Sequence, residues 1–527
     1  MNPRYSALAT FCVVLATSTT VELFYDPDKA LFTAASTYVS INVDSGSLYN
    51  NFNFSDVVLT QLSRNLAEAA PTQLRVGGGA ADNLLFTGVG GARGACSFSG
   101  GDVCVDATYW DELNSFATAT GLQLVWDINA ALRDAVSGAW NSSNARALFS
   151  YAASSKTSSA VVAWQLGNEV EDWYKRNPPL NLSGTALAAD YATLRALLAE
   201  FPSLAQAVYG IDACCENRRP ILADFVTAAV TATPPLVSAL TVHAYPIIRA
   251  ANNSCFPALF TDLSGPRSLI PALEIFSNVV APLVAKGVPM ILGETATSAH
   301  GGCANLSNVF VAGFTFMYEL GVVGERGFSQ LNRQDLAGFS SEGEGSNYAL
   351  LGKAGWASGP MGQPHPDYFT ALLFKHLASP VVLNSSFSSA DDPVSVPKSF
   401  DAHVWCARTG SGVAVLTFTN LVGHTVNVTL PQSATSTRRN EFVLTSVSAP
   451  VNSATPPASL YANDVYLNGE LLATDSTGAL PDDIYIGKMV LNGPISVPPW
   501  SYGLIVLLDA GATGACTGCA SGVRCEE

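Results

Sequence analysis

Two glutamates stand where a buried strand should have none. In WQLGNEVEDW (residues 164–173) an apolar run ends at the pair Asn168 and Glu169, and in ILGETATSAHGG (291–302) another ends at Glu294. A carboxylate beside a core costs free energy unless it is paired or used. Two carboxyl groups facing each other across one opening can carry out acid-assisted substitution at an acetal carbon. One protonates the leaving oxygen while the other attacks the carbon, which is the chemistry of glycoside cleavage. Other apolar runs also end in polar residues: Asp44, Arg75, Asp127, Asn129, His243, Tyr245, and Arg333 with Gln334. A strand-end polar residue is often a helix cap, so each of these taken singly has a structural explanation as well.

Groups of this kind need a scaffold that brings several strand ends to one place. Eight apolar runs recur: YVSINVD (38–44), QLRVGG (73–78), LQLVWDIN (122–129), VVAWQLGNE (161–169), AVYGID (207–212), ALTVHAY (239–245), PMILGET (289–295) and RGFSQLN (326–332). Between them, stretches such as SDVVLTQLSRNLAEAA and ARALFSYAASSK place apolar residues at helical spacing. Eight strand–helix alternations predict an α/β fold, a (β/α)8 TIM barrel, whose active residues sit at the C-terminal strand ends. A doubly wound open sheet is the alternative, but GGGA at 77–80 follows the second run and lacks the GxGxxG spacing. After about residue 376 the pattern changes to short alternating segments, AHVWCARTG, GVAVLTFTN, TVNVTLP, NEFVLTSVS, DVYLNGE and YGLIVLLD, which predict a C-terminal antiparallel β-sandwich. The expected division is a leader at 1–20, a strand segment at 21–35 joining the sandwich, the barrel at 36–375, the sandwich at 376–510 and a Cys-rich tail at 511–527.

Composition narrows the partners. Apolar residues make up 48% and charged residues 13% of the 527, the balance of a packed globular chain. A net charge of −16 with only 26 Lys and Arg argues against nucleic acid and any strongly anionic polymer. MNPRYSALATFCVVLATSTT places Arg4 before an apolar run and then small residues, the layout of a secretory leader, with a buried first strand as the alternative. No other run is expected to reach the length of a membrane span, and the tail CASGVRCEE is no lipid-anchor signal. The expected location is therefore extracellular or a lysosome- or vacuole-like compartment. Of the eleven cysteines, Cys12 lies in the leader and ten remain, an even number suited to disulfides. Cys96 and Cys104 are the easiest pair to close locally. The CxxC of Cys516 and Cys519, with Cys525 near it, lacks a second CxxC or a nearby His, so neither a metal nor another cofactor is expected. Sequons begin at Asn53, Asn141, Asn181, Asn252, Asn305, Asn384 and Asn427 and suggest glycosylation.

The long motifs are more specific. LVWDINAALRDAVSGAWNSSNARALFSYAASSK, WQLGNE, TVHAYP, GETATSAHGGCANLSNVFVAGFTFMYELG, DYFTALLFKHLAS and DVYLNGELL together resemble the heparanase and β-glucuronidase family, glycoside hydrolase family 79, from about residue 35 to 510. The resemblance implies that Glu169 is the general acid/base and Glu294 the nucleophile of a retaining enzyme. It implies substrate contacts for Asn168, at the sugar 2-hydroxyl, and for His243. Tyr245 would touch the nucleophile, Asp44 and Gln334 would grip sugar hydroxyls, and Tyr348 in GSNYALL would meet the uronate carboxylate. Cys406 resembles a cysteine bonded to the C-terminal tail, which implies pairing with Cys516, Cys519 or Cys525. The implied activity is a secreted β-glucuronidase acting on a glucuronic-acid-containing carbohydrate or a glucuronide conjugate. A related glycosidase of neutral sugars and a catalytically silent carbohydrate binder are the alternatives. Tyr348 is the only sequence feature that directly opposes the neutral-sugar reading, and the presence of both Glu169 and Glu294 with Asn168 argues against the silent binder, which needs neither glutamate.

The chain also departs from that family. FTGVGGARGACSFSGGDVCVDATYW is a short segment where heparanases carry an excisable linker, so proteolytic activation is not expected. CCENRRPILADF supplies only Arg218 and Arg219, beside Glu216, where a basic segment is expected, and Arg249 is a further cleft cation. DLAGFSSEGEGSN lengthens the loop before Tyr348 and adds Glu342 and Glu344, while Ser346 replaces a glycine of the uronate loop. Weak binding of highly sulfated chains is the expectation that follows.

Overall fold

The computed structural model describes residues 18–96, 101–155, 158–175, 180–214, 220–247, 255–338, 346–353, 361–389, 396–431 and 437–517. Eight strands close a parallel barrel: β1 (Val39–Asp44), β2 (Gln73–Gly77), β3 (Gln123–Ile128), β4 (Val161–Leu166), β5 (Ala207–Ala213), β6 (Ala239–His243), β7 (Met290–Thr295) and β8 (Gln330–Arg333). Each falls within or beside one of the eight apolar runs. Register runs Ile41 to Leu74 between β1 and β2 and closes with Leu331 to Val39 between β8 and β1. Strands buried on both faces need continuous apolar sequence, and β2, β6, β7 and β8 are buried at every residue.

One helix follows each strand: Val57–Ala69, Ala107–Thr120, Ser143–Ser154, Gly184–Ala199, Ile221–Ala229, Leu269–Val284, Ala312–Glu325 and Pro366–Leu377. Asp56 and Asp106 cap the first two by accepting from Leu59 and Tyr109 N–H. By length and composition alone the segment Ser264–Val284 is apolar enough to cross a membrane, a test that core helices pass as well. Its apolarity has a local cause: Leu269, Leu273, Phe276, Val280 and Leu283 form the face buried against the barrel.

Apart from a three-stranded sheet (Leu84–Gly88, Val103–Asp106, Gly94–Ala95) and a two-stranded one (Leu351–Lys353, Met361–Pro364), the remaining strands form one large sheet. Its order is Glu470–Leu471, Tyr466–Leu467, Arg439–Thr445, Ser501–Ala512, Gly412–Asn420, Phe400–Ala407, Ala378–Ser388, Thr19–Thr33, Val426–Thr429 and Ile495–Val497, with Lys488–Val490 also on Arg439–Thr445. The pairing is antiparallel except where Thr19–Thr33 meets Val426–Thr429. Register shifts between Tyr25 and Phe32 interrupt the ladder on Thr19–Thr33, and such irregularities bend a strand. The sheet thus folds back on itself, and Val21, Leu23, Val426 and Ile495 share a core with Phe400, Leu416 and Phe418. The other face, with Trp405, Tyr502 and Leu504, joins the barrel core. His403 ties the two together, with Nδ1 2.8 Å from Glu325 Oε1 on a barrel helix and Nε2 2.6 Å from Asp401 Oδ2.

Three disulfides are present among the described residues: Cys96–Cys104, Cys255–Cys303 and Cys406–Cys516. The first is the local pair and the third ties the tail to the sheet. The second had no sequence signal; it joins the segments that follow β6 and β7. Most of the leader, Asn252, Cys519, Cys525, Arg218, Arg219, Arg249, Glu216, Glu342 and Glu344 lie outside the described residues. Asn53, Asn141, Asn181, Asn305 and Asn384 are exposed, and Asn427 is half-buried.

Candidate active site

Arg75 organises the barrel mouth. It is fully buried on β2, and its guanidinium faces three carboxylates: Asp212 Oδ2 at 2.7 Å, Glu294 Oε2 at 3.2 Å and Asp127 Oδ2 at 3.5 Å. It also donates to Gln165 Oε1 at 2.9 Å and Asn168 Oδ1 at 2.7 Å. Burial disfavours its charge, but Asp212, Glu294 and Asp127 outweigh that and hold it firmly protonated. The GGGA stretch now has a physical role. A Cβ on Gly77 would lie 2.5 Å from Arg75 Cζ, and one on Gly78 would lie 2.9 Å from Asp44 Oδ2. Both glycines make room for charged side chains rather than for a phosphate.

The two glutamates meet above this arginine. After β4, Gly167 turns the chain and Glu169 adopts a left-handed φ of 47°. Such a conformation costs a non-glycine residue about 1–3 kcal/mol and persists only where its surroundings enforce it. Here the Glu169 N–H donates to Asp212 O at 3.0 Å, and Asp212 has a left-handed φ of 54° itself. The Glu169 side chain is 30% exposed, so it is not buried as its place after an apolar run suggests. Glu294 is more enclosed, at 11%, and accepts from the Tyr245 hydroxyl at 2.5 Å. One carboxyl oxygen of each glutamate and His243 Nδ1 lie within 4.8 Å of one another.

His243 sits between the glutamates. Its Nδ1 is 2.9 Å from Glu169 Oε1 and 3.5 Å from Glu294 Oε2, and its Nε2 is 3.3 Å from Asp212 Oδ1. Burial alone would lower its pKa, but Glu294, Asp212 and the hydrogen bonds to Asp212 and Glu169 bring it up to about 10. The ring is therefore an imidazolium at neutral pH and offers no free lone pair, so these three side chains are a poor cation site despite their spacing. Asp212 is pushed up by burial and brought well below the usual carboxylate range by Arg75 and His243. Asp127, also buried, is instead driven well above that range by desolvation and by Asp212, against Arg75.

The remaining expected residues line the same mouth. The Asn168 side chain is oriented by Arg75, and the Asn168 backbone N–H donates to Asp82 Oδ2 at 3.0 Å. That arrangement leaves the Asn168 amide NH2 as the donor for a ligand. On the β8 and β1 side, Gln334 Nε2 donates to Asp44 Oδ2 at 3.2 Å. The Tyr348 ring stacks on Tyr245, with centroids 6.3 Å apart and planes 19° from parallel. Burial, then the carboxylates of Glu294, Asp335 and Asp44, keeps the Tyr348 hydroxyl protonated. Glu169, Glu294, Asp44, Asn168, His243, Tyr245, Gln334 and Tyr348 thus converge.

Sequence reasoning gave no role to Asp82, Asp212 or Asp335. Asp212 carried a signal, since it ends AVYGID as Glu169 and Glu294 end their runs. Asp82 is buried and also accepts from Ala130 N–H at 3.1 Å, so it joins the loops after β2, β3 and β4. Asp335 followed Gln334 without any sign that it turned inward.

Comparison with known proteins accords with this geometry. Heparanase of Gallus gallus is 29% identical over 413 residues, covering 76% of this chain and 71% of its own. Baicalin-beta-D-glucuronidase of Scutellaria baicalensis is 25% identical over 453 residues, 79% of this chain and 76% of its own. The crystal structure of a 4-O-alpha-L-rhamnosyl-beta-D-glucuronidase from Fusarium oxysporum 12S covers 93% of this chain and 100% of its own with a TM-score of 0.61; at 15% identity it speaks to the fold alone. Residues 38–321 match the description "Glycosyl hydrolase family 79, N-terminal domain". The chain belongs to glycosyl hydrolase family 79.

Proposed function

We propose that this protein is a secreted retaining β-glucuronidase. The observation that carries the mechanism is the pair Glu169 and Glu294, with carboxyl oxygens within 4.8 Å across the mouth. Retaining glycosidases hold their carboxyl groups about 5–5.5 Å apart, whereas inverting ones leave about 6.5–9.5 Å for a water. Glu294 attacks the anomeric carbon while Glu169 gives its proton to the glycosidic oxygen, forming a covalent glycosyl-enzyme. Glu169, now a carboxylate, takes a proton from water as that water displaces Glu294. Arg75 and Tyr245 each hydrogen-bond one Glu294 oxygen and so fix the direction in which the carboxylate points. His243 donates to one Glu169 oxygen, leaving the other to carry the proton. The Asn168 NH2 is placed to hydrogen-bond the 2-hydroxyl, a contact that strengthens as the ring becomes oxocarbenium-like.

Glucuronide preference rests on the family and on Tyr348, whose hydroxyl stays a donor for a carboxylate. The net charge of −16 opposes binding of highly sulfated polymers, which draws on several cationic contacts. Hydrolysis of an aryl β-D-glucuronide, followed by proton NMR of the first-formed sugar, tests the reading. The expected product is the β-anomer. Appearance of the α-anomer removes the double displacement, and faster cleavage of the matching glucoside removes the glucuronide preference. Retention on immobilised heparin at about 0.15 M salt, where the Debye length is roughly 8 Å, would remove the discrimination against sulfated chains.

A further inference from the structure

The β8 and β1 side of the mouth holds two carboxyl groups without a cation of their own. Asp335 is fully buried, and the Ser346 hydroxyl is the side-chain hydrogen-bonding group set against its carboxyl. The chain closes over it. Leu350 N–H donates to Asp335 O at 2.8 Å, Ser346 N–H donates to Gly338 O at 3.3 Å, and a Cβ on Gly338 would lie 1.7 Å from Asp335 Oδ2. Asp44 accepts from Gly46 N–H at 2.7 Å and from Gln334. The charged groups that face this pair are Glu294, Glu169 and Arg75 toward Asp44, and Arg333 toward Asp335, with the Tyr348 phenol beside both. Neither cation is uncommitted: Arg75 serves Asp212, Asp127 and Glu294, and Arg333 is held by Asp367.

Substrate chemistry points a carboxylate at this pair. With C1 between Glu169 and Glu294 and the 2-hydroxyl toward Asn168 on the β4 side, C5 lies on the other flank of the anomeric carbon and ring oxygen. Its carboxylate then points across the mouth toward β8 and β1, the side opposite β4 in an eight-stranded barrel. We propose that Asp335, together with Asp44, is a charge gate for the substituent on C5: the pair admits a glucuronate carboxylate while it holds protons, rejects it once both acids are ionised, and passes a neutral hexoside in either state. The inference rests on the reading of the mouth as a glucuronide site. Burial and the neighbouring acid place the working range. Desolvation, then Asp44, raises Asp335 to about 8, and desolvation, then Glu294, raises Asp44 to about 7. Asp44, which is only part-buried, can donate a hydrogen bond to a carboxylate while protonated; Asp335, sealed beneath the chain, acts through its charge, and either acid once ionised repels the carboxylate.

The test is a ratio. For the full chain, kcat/KM is measured on 4-methylumbelliferyl β-D-glucuronide and on the matching β-D-glucoside from pH 5 to 9. Any effect of pH on the bond-breaking chemistry common to both substrates cancels in the ratio. The gate predicts that the glucuronide-to-glucoside ratio falls about tenfold or more between pH 6 and 9. Asp335→Asn should reduce that fall to about threefold or less, the remainder belonging to Asp44. A ratio that stays constant with pH in the wild type, while glucuronide remains preferred, overturns the gate and leaves the glucuronidase reading standing. An Asp335→Asn ratio that falls as steeply as the wild type also overturns it. Preference for the glucoside at every pH removes the glucuronidase reading and the gate with it. The wild-type ratio needs no variant, so misfolding of Asp335→Asn would not decide the question.

Discussion

The two sides of the barrel mouth handle charge in opposite ways. Around β2, β5, β6 and β7, Arg75 and His243 each contact two or more acids at 2.7–3.5 Å, and both are held as cations. Around β8 and β1, Asp44 and Asp335 have no cation of their own and are pushed toward their neutral forms. On the first side the two cations are held charged by the acids around them. The second side titrates near neutrality, as a group that discriminates between charged and uncharged sugars would. Chemistry and recognition are thereby separated within one opening, with Tyr348 stacked on Tyr245 where the sides meet.

The largest effects belong to the fixed side. Glu169→Gln should lower kcat/KM on aryl glucuronides by about 10²–10⁴-fold, the usual contribution of a positioned acid/base, and Glu294→Gln should lower it at least as much. Residual activity near wild type in a folded Glu294→Gln protein would break the assignment. Arg75→Met comes next. It leaves Asp212, Asp127 and Glu294 around an apolar side chain, and removing one partner of a buried ion cluster costs about 3–5 kcal/mol. Both stability and kcat should fall, whereas a variant as stable as wild type in urea would show that the cluster is not held by the arginine.

How much of this could be read in advance follows from how each feature is encoded. The eight barrel strands are buried on both faces, so each is a continuous apolar run and each was legible. The large sheet was legible as alternating segments, except Ala378–Ser388, whose VVL core is framed by Pro380, Asn384 and several serines. The segment at 21–35 was read as a strand joining this sheet, and Thr19–Thr33 pairs there with Ala378–Ser388 although the two lie far apart in the chain. At the mouth, Glu169, Glu294 and Arg75 stood out as charges ending apolar runs. What the arrangement does with them was less legible. Asp212 turns inward through a left-handed φ of 54°, and Asp335 turns inward as the chain leaves β8, and backbone turns of that kind leave no periodicity to read. The same limit explains Glu169: its left-handed turn lifts the side chain to 30% exposure, although it follows a buried strand.

Tyr348→Phe probes the seam between the two sides. The substitution keeps the ring stacked on Tyr245 and removes only the hydroxyl. Hydrogen bonds to a charged group are worth about 1.5–3 kcal/mol, so kcat/KM on a glucuronide should drop roughly tenfold or more, while a glucoside, lacking the carboxylate, should change little. Equal losses on both substrates would assign Tyr348 to packing and leave recognition to other groups.

The smallest effect should appear in stability, and its sign follows from the same contrast. Asp44 and Asp335 are raised to about 7 and 8 from 3.8, and the buried Glu319 to about 8 from 4.5, each chiefly by desolvation. Between about pH 4 and pH 8 the folded chain therefore keeps protons that the unfolded chain has released, and stability must fall as pH rises through that window. His243, raised from 6.5 to about 10, acts in the same direction at higher pH: its contribution is full below 6.5 and is lost as pH rises through about 10. Asp212 opposes them only in acid: its contribution is full above 3.8 and is lost as pH falls below that value toward its depressed pKa. The melting temperature at constant ionic strength should thus be highest near pH 4 and lower by about 5 °C or more at pH 9, with a shallower slope in Asp335→Asn. A melting temperature that is flat or rises over this range would mean that the acids on the β8 and β1 side are ionised in the folded protein, and the contrast between the two sides would disappear with them.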